Sequence, residues 1–507
     1  MAQQPQFDHV IVLMLENRSF DHLFGYLGIG EGLKGAGAVQ YLKPGDKTSQ
    51  SFSSREGGDY TAIGQGPSHS LKETNMQLFG VTKPSPQVSA AKPPMNGFVA
   101  SFHTALQYDL KRQPTNNELQ QVMNVFDPAQ LPALSTLAKN FVLCDHWFSD
   151  VPGPTMPNRA FMHAATSQGY TYNANWKPKF TCKTLYDRIN AKKGATWRSY
   201  SHDQDDILEL YPYLKKDETN HVSFEGNFVN DVAGDKLATY SFVTPAFLGK
   251  HGTPVNSMHA PADVRPAEKL VADVYGVLRA NQDVWKKTLL IVLFDECGGY
   301  YDHVEPPATV SPDGIKGRMD ESFLVPFDFQ RLGLRVPCIL VSPWFEAAVD
   351  STLYSHSSII GSVIDAYGLP GGYLTKRDAK ANKLTKYLAK DATRKWRTNT
   401  PVLTVPVQPG GLDAMQRDIL DGSVHLDPHP DQRNELRTRD IHDPAQATQF
   451  VRTQNAKHLE HYFAANGSAK VAARLSTEDQ PAAPTLSPSR IAELRTSTRR
   501  RPRGPRP

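Results

Sequence analysis

Cysteine is scarce in this chain: Cys144, Cys182, Cys297 and Cys338 are the only four among 507 residues. They are too few and too scattered for a disulfide framework or a Cys-x-x-Cys zinc site, and they suit a reduced compartment. Long apolar runs are also missing. None approaches the roughly 18 residues that a membrane-spanning helix needs, so no transmembrane segment is expected. Nor is there a strong charge of one sign. The formal charge is +4, but Arg490 to Pro507 carries seven Arg against one Glu, so the rest of the chain stands at −2. No basic region precedes the first apolar run and no small-residue cleavage site follows it, so no export signal is visible. The expectation is a cytoplasmic protein, or a secreted or periplasmic one if a leader is missing from the chain. With 39% hydrophobic, 21% charged and 9% aromatic residues, a wholly disordered chain is excluded.

Short apolar runs are present, and they carry the fold. His9 to Leu15 and Thr288 to Phe294 are nearly continuous apolar stretches, the pattern of strands buried on both faces. Val336 to Val341 is a third, and Asn140 to Leu143 a weaker fourth. Parallel strands have this pattern because crossover helices cover both of their faces. Pro266 to Ala280 and Ser355 to Tyr367 have helical apolar spacing. The alternation predicts an α/β fold with a mainly parallel central sheet sandwiched by helices. From about Gly28 to Gln120 the chain is rich in Gly, Ser, Pro and Lys without long periodic segments, and reads as a loop-rich insertion forming a lid or site wall. One amphipathic helix is expected at Pro444 to Ala464, and from Thr477 a disordered tail rich in Arg and Pro.

In open α/β sheets, ligands bind beyond the carboxyl ends of the strands. Two of the clearest strands end there in acids: Glu16-Asn17 after the first and Asp295-Glu296 after the second. Three carboxylates at one sheet edge are costly unless a cation sits among them, the alternative being that they cap following helices. The segment Asp150 to Arg159 (DVPGPTMPNR) sets prolines around one hydroxyl, Thr155, ahead of a helix predicted from Pro157 to about Ser167. A helix N-terminus favours a phosphate, with Asn158 and Arg159 able to bond its oxygens; the alternative is a threonine serving only as an N-cap. Among 17 histidines, His69 and His259 lie in loops and His202 follows a predicted strand, Thr196 to Ser201. Asp21-His22 and Asp302-His303 follow the acidic strand ends and suit a supporting Asp–His shell that orients ligands or loops rather than direct metal contact.

Four stretches then carry a family resemblance: VLMLENRSFDH (Val12 to His22), VPGPTMPNR (Val151 to Arg159), SMHAP (Ser257 to Pro261) and FDECGGYYDHVEPP (Phe294 to Pro307). In this order, over about residues 7 to 370, they resemble the bacterial phosphoesterase family that unites non-hemolytic phospholipases C with an acid phosphatase. The resemblance implies an alkaline-phosphatase-like α/β core and a hydroxyl nucleophile that forms a phosphoenzyme. Carried over, it makes Thr155 the nucleophile and Glu16, Asn17, Asp295 and Glu296, with the Thr155 oxygen, ligands of one divalent metal ion. It places Asn158, His69, His259 and His202 around the phosphate and leaving group, with His259 as general acid. Oxygen ligands favour a hard cation, Ca²⁺ first, with Mg²⁺ or Mn²⁺ as alternatives.

The implied activity is a metal-dependent, phospholipase C-like phosphodiesterase, with a broad acid phosphatase as the nearest rival and a non-catalytic metal-binding protein as a third reading. The partner is a phosphate-ester substrate, with phospholipid as one class; the Arg-rich tail is read as solvated, with no stable nucleic-acid partner. The family's phospholipases usually start with a twin-arginine signal, and the longer ones end in β-rich domains; neither is visible here. Cys297, beside two ligands, reads as a structural buried thiol. The organisation expected is a catalytic domain over residues 1–390 with the insertion at about 28–120, a peripheral region over 391–476 and the tail over 477–507.

Overall fold

A computed structural model describes residues 6–33, 37–85, 92–173, 180–249, 254–317 and 327–406. The helix expected at 444–464 and the tail from 477 lie outside the described residues. The molecule is built on an eight-stranded sheet whose strands, in chain order, are β1 (His9–Leu15), β2 (Val142–Cys144), β3 (Trp197–Ser201), β4 (His221–Ser223), β5 (Tyr240–Thr244), β6 (Thr288–Phe294), β7 (Cys338–Val341) and β8 (Ala348–Asp350). Their spatial order is β8-β2-β7-β6-β1-β5-β3-β4. β1 and β6 lie at the centre and every residue of both is buried, which is what their unbroken apolar sequences require. Each Val, Leu or Ile so buried stabilises the fold by roughly 1.5–3 kcal/mol.

Seven strands share one direction; β7 runs antiparallel to both β6 and β2. This corrects the expectation that Val336 to Val341, as a continuous apolar run, is one of the parallel strands. Such a run reports burial on both faces, and β7 is buried along its length, but burial carries no information about direction. Ser342 therefore leaves at the far edge, and it is the start of the strand, Arg335, that lies at the edge where the parallel strands end.

Register sets the functional edge. β1 and β6 pair in step from His9↔Thr288 to Leu15↔Phe294, so Glu16 and Asp295 emerge on neighbouring strands about 4.8 Å apart. The helices used below are α1 (Phe20–Phe24), α2 (Pro132–Asn140), α3 (Thr155–Ala164), α4 (Arg265–Ala280), α5 (His356–Tyr367) and α6 (Lys376–Lys380). α3 starts at Thr155, two residues before the predicted Pro157, with Pro154 in extended conformation at its N-cap. The stretch read as irregular contains a 13-residue helix, Phe98–Leu110. Its Phe98, Val99, Phe102 and Leu106 form a second apolar core that also takes in Cys297, Tyr301 and Leu334. The insertion is thereby seated on the functional edge. Cys297 is buried in that core and burial pushes its thiol well up, so it is unreactive filling. Beyond residue 390 the chain stays on the body: the Thr400 and Pro401 carbonyls accept bonds from Arg279 and Tyr275 of α4.

Candidate active site

The acids that end β1 and β6 meet around a buried guanidinium. Arg159, one turn into α3, bonds Asp295 Oδ2 at 3.3 Å, Asp206 Oδ2 at 2.9 Å and the Met14 carbonyl at 3.2 Å, and lies 3.7 Å from Glu16 Oε1. Residues i and i+4 of a helix share a face with side chains tilted toward its N-terminus. Thr155 thus lies one turn above Arg159 on the face turned toward these acids. Asp295 Oδ1 accepts the backbone N–H groups of Asn17 and Glu296, and Glu296 Oε2 accepts that of Gly298. Asn17 is held in the left-handed region, φ 57°, a conformation asparagine tolerates better than most residues. Its Nδ2 donates to His69 Nε2 at 3.0 Å, while His69 Nδ1 donates to the Pro67 carbonyl. The same His69 Nε2 is 3.7 Å from Glu296 Oε1.

The charges here do not balance. Glu16, Asp206, Asp295 and Glu296 face two guanidiniums, Arg159 and Arg18, the latter donating to the Met258 carbonyl and acting on Glu296 through space. Burial, then the neighbouring Asp295, push both Glu16 and Glu296 well above the usual carboxylate range. Asp206, despite its burial, is held well below that range by Arg159 and His163. Two acceptors in the cluster, Asn17 Oδ1 and Glu296 Oε1, are buried without a hydrogen-bond partner. Oxygen atoms left unpaired among uncompensated carboxylates are the donor set of a hard divalent cation, so the residues present fit the expected metal.

The remaining expected residues fall into three places. His259 packs edge-on to His69, ring centres 5.8 Å apart, and burial, with His69 beside it, pushes it down to about 3. Asn158 faces the loop before α3, not the acids. Its Oδ1 accepts the Val151 N–H and its Nδ2 serves the carbonyls of Val151, Gly153 and Pro154, which engages every polar atom expected to reach a phosphate. His202 stacks on Phe224 and bonds the Thr244 carbonyl, at the functional edge but two strands from β1.

The two Asp–His pairs exchange partners. Asp21 Oδ2 accepts from His303 Nδ1 at 2.6 Å, and Arg335 bridges Asp21 Oδ1 and Asp302 Oδ1 at 3.0 and 2.9 Å. His22 instead stacks on Tyr300 at 3.8 Å. Asp21, Asp302 and His303 are close enough to suggest a metal site, but the guanidinium already supplies their positive charge. The group ties the loop after β1 to the loop after β6.

Several residues of this site went unread in the sequence. Asp206 lies five residues past the end of β3, at the start of a short helix, too far from the strand for the strand-end rule to have marked it. Arg18 and Ser257 lie inside stretches already singled out; the Ser257 hydroxyl bonds Glu16. His356, which donates to the Asp295 carbonyl at 2.7 Å, had no local signal.

Comparison with known proteins places this geometry in a family. The phosphoesterase family profile matches residues 7–370. Non-specific phospholipase C6 of Arabidopsis thaliana is 32% identical over 417 residues, covering 79% of this chain and 75% of that protein. Non-hemolytic phospholipase C of Pseudomonas aeruginosa is 25% identical over 401 residues, 71% of this chain and 54% of that one. Among solved structures, a protein in the alkaline phosphatase superfamily from Vibrio parahaemolyticus aligns over 47% of this chain and 60% of its own at 10% identity, with a TM-score of 0.29, too loose a superposition to carry an argument. The chain belongs to the phosphoesterase family and is a hydrolase of phosphoric ester bonds.

Proposed function

We propose that the protein is a metal-dependent, phospholipase C-like phosphodiesterase that works through a covalent phospho-threonine at Thr155. The observation that carries this reading is the pair of unpartnered buried acceptors, Asn17 Oδ1 and Glu296 Oε1, in a carboxylate cluster faced by the Thr155 side of α3. Glu16, Asn17, Asp295 and Glu296, with the Thr155 hydroxyl, would hold the cation. When bound, the cation supplies Lewis-acid charge that favours the alkoxide form of a hydroxyl and the developing charge on phosphoryl oxygens. The names of the relatives, phospholipases C, support a phospholipid diester as substrate.

The chain's own residues do the rest. Thr155 Oγ1 attacks phosphorus as the bond to the leaving alcohol oxygen breaks, and the proton that Thr155 loses balances the one the alcohol gains. Water then attacks the phospho-threonine, restoring the hydroxyl and releasing the phosphate ester. His259 enters this cycle neutral, because burial disfavours its charged form. Once the negative phosphate of the substrate beside it raises its basicity it takes up a proton, which it gives to the leaving alcohol in the first half, and, neutral again, it accepts a proton from water in the second. Asn17 and Glu296 are kept in place by His69 and by the Gly298 N–H.

Substitution of Thr155 by Ala or Val tests the assignment. Turnover of a phosphocholine diester and of p-nitrophenyl phosphate should both be abolished with the fold intact; retained activity on either would remove Thr155 as the nucleophile. The ratio of the two wild-type rates decides between diester and monoester.

A further inference from the structure

The loop that delivers Thr155 has few backbone bonds of its own and is tied to α3 by the Asn158 amide. Residues 151–154 read Val-Pro-Gly-Pro, so two of four positions lack an N–H. The bonds of its two remaining N–H groups are Gly153 to the Val151 carbonyl and Val151 to Asn158 Oδ1. These bonds shape the loop against α3; where loop and helix sit together in the site is set by what surrounds them.

Asp150, at the base of the loop, is fully buried. Its Oδ1 accepts from Arg377 Nη1 at 2.8 Å, from the Ser357 hydroxyl at 3.0 Å and from the Ser355 hydroxyl at 3.2 Å, and its Oδ2 accepts the Ser357 N–H at 2.9 Å. The start of α5 and the short α6 thus converge on one carboxylate. Arg377 also donates to the carbonyls of Asp150, Phe329 and Val310 at 3.0, 2.6 and 2.7 Å, and its guanidinium covers the ring of Phe161 in α3. From the same helix cap, Thr375 bonds the Ala165 carbonyl just past the end of α3. α6 and its cap therefore hold the base of the loop at Asp150 and the C-terminal part of α3 at Phe161 and Ala165. A third wall is Gly333, where an added Cβ would come within 2.0 Å of Ser149 Oγ and 2.6 Å of the Val151 carbonyl oxygen.

We propose that Asp150 and Arg377 are positioning residues for the nucleophile: a buried ion pair, anchored from beyond the family match that ends at residue 370, that fixes where Thr155 meets the phosphorus. The inference rests on Thr155 being the nucleophile. In-line attack is sensitive to placement, and a misplacement of about 1 Å costs on the order of 100-fold in rate. A carboxylate bound by a planar guanidinium and by three more donors has little freedom to drift, and lysine cannot reproduce the four acceptors that Arg377 spans.

The test compares R377Q, R377K and T155A with the wild type in the full-length, metal-loaded protein, using a phosphocholine diester. It reads kcat and KM separately, the rate at which a covalent adduct appears on Thr155 by quenched-flow intact-mass measurement, and folding by circular dichroism. R377Q should lower kcat and adduct formation together by roughly 10- to 100-fold with KM changed less than about threefold, and R377K should fall between it and the wild type. A folded R377Q whose kcat and adduct rate stay within twofold of wild type overturns the proposal. If R377Q fails to fold, R377K decides, since it keeps the charge of the pair but not the planar fork that spans four acceptors: kcat and adduct rate within twofold of wild type overturn the proposal, and a matched fall in both supports it. An active T155A would instead refute the nucleophile on which the proposal stands, an outcome distinct from an inactive T155A beside an unimpaired R377Q.

Discussion

Arg159→Leu is the sharpest perturbation of the candidate site. The guanidinium is wholly buried and serves Asp206, Asp295 and Glu16 at 2.9, 3.3 and 3.7 Å. Leucine replaces the bulk but leaves these carboxylates without their nearest fixed cation. Glu16 is already pushed well above the usual carboxylate range, so in metal-free protein the further relief is to protonate one of the two aspartates. For an aspartate with an ordinary value of about 3.9, that costs about 4 kcal/mol at pH 7 and about 1.5 kcal/mol at pH 5, at 1.36 kcal/mol per unit. The first figure falls within the roughly 3–5 kcal/mol lost when one partner of a buried ion pair is removed. With an unfolding entropy of about 2.1 cal/mol/K per residue over about 390 residues, 4 kcal/mol lowers Tm by about 5 °C. The assay is thermal unfolding of chelator-treated wild type, R159L and R159K at both pH values, repeated with Ca²⁺. The deficit of R159L should shrink from pH 7 to pH 5, and again when Ca²⁺ takes over the lost charge. A deficit below about 1 kcal/mol at pH 7, or one that does not shrink at pH 5, would refute the charge argument.

Glu268, buried with its carboxylate accepting the Ala133 and Leu134 N–H groups at the start of α2, is pushed up to about 8 by its burial. Its folded value lies above its unfolded one, so its stabilisation is complete below about pH 4.5 and is lost as pH rises toward 8, at about 1.4 kcal/mol per unit; denaturation midpoints across that window should flatten in E268Q. Gly298 has φ 63°, and an added Cβ would lie 2.1 Å from the Asn17 carbonyl oxygen. G298A should therefore displace Asn17, a ligand in the proposed metal site, lower kcat/KM by about 100-fold and raise the Ca²⁺ concentration needed for half-maximal activity. N158A strips partners from the Val151 N–H and from carbonyls of the loop. At ~1–3 kcal/mol for each buried group left unpaired, it should cost roughly 2–4 kcal/mol in a chemical denaturation titration.

What was legible in the sequence follows from which interactions are local. β1 and β6 could be read to the residue because a strand buried on both faces admits little but apolar side chains. Their in-step register then carried Glu16 and Asp295 to one edge with no further information needed. α4 was readable from its spacing, with its start one residue early at Arg265. The helix Phe98–Leu110 also has helical spacing, but it lies in a stretch whose Gly, Ser and Pro content outweighed it. Asn158 reads, from its type and its place near a helix start, as a phosphate partner; its bonds to the loop from Val151 to Pro154 depend on how that loop folds back and have no local signature. The link between Asp150 and Arg377 joins residues 227 apart, and no local pattern names a partner at that distance.

The direction of one strand decides what the second cluster of acids can be. Because β7 is antiparallel, its first end, with Arg335 three residues before it, stands at the edge where β1 and β6 finish. A parallel β7 would have put Ser342-Pro343 there instead, leaving Asp21 and Asp302 buried together without a counter-charge. With Arg335 present, those carboxylates are paired at 2.9 and 3.0 Å by one rigid fork, and their cation is covalently part of the chain. The first cluster, by contrast, has Arg159 shared among three carboxylates, and two acceptors with no partner. The same edge therefore carries one acid group closed by a guanidinium and one left open. The closed group joins the loops that carry Glu16, Asn17, Asp295 and Glu296, and the open one leaves buried oxygens unpaired, the donor set that the proposed divalent cation requires.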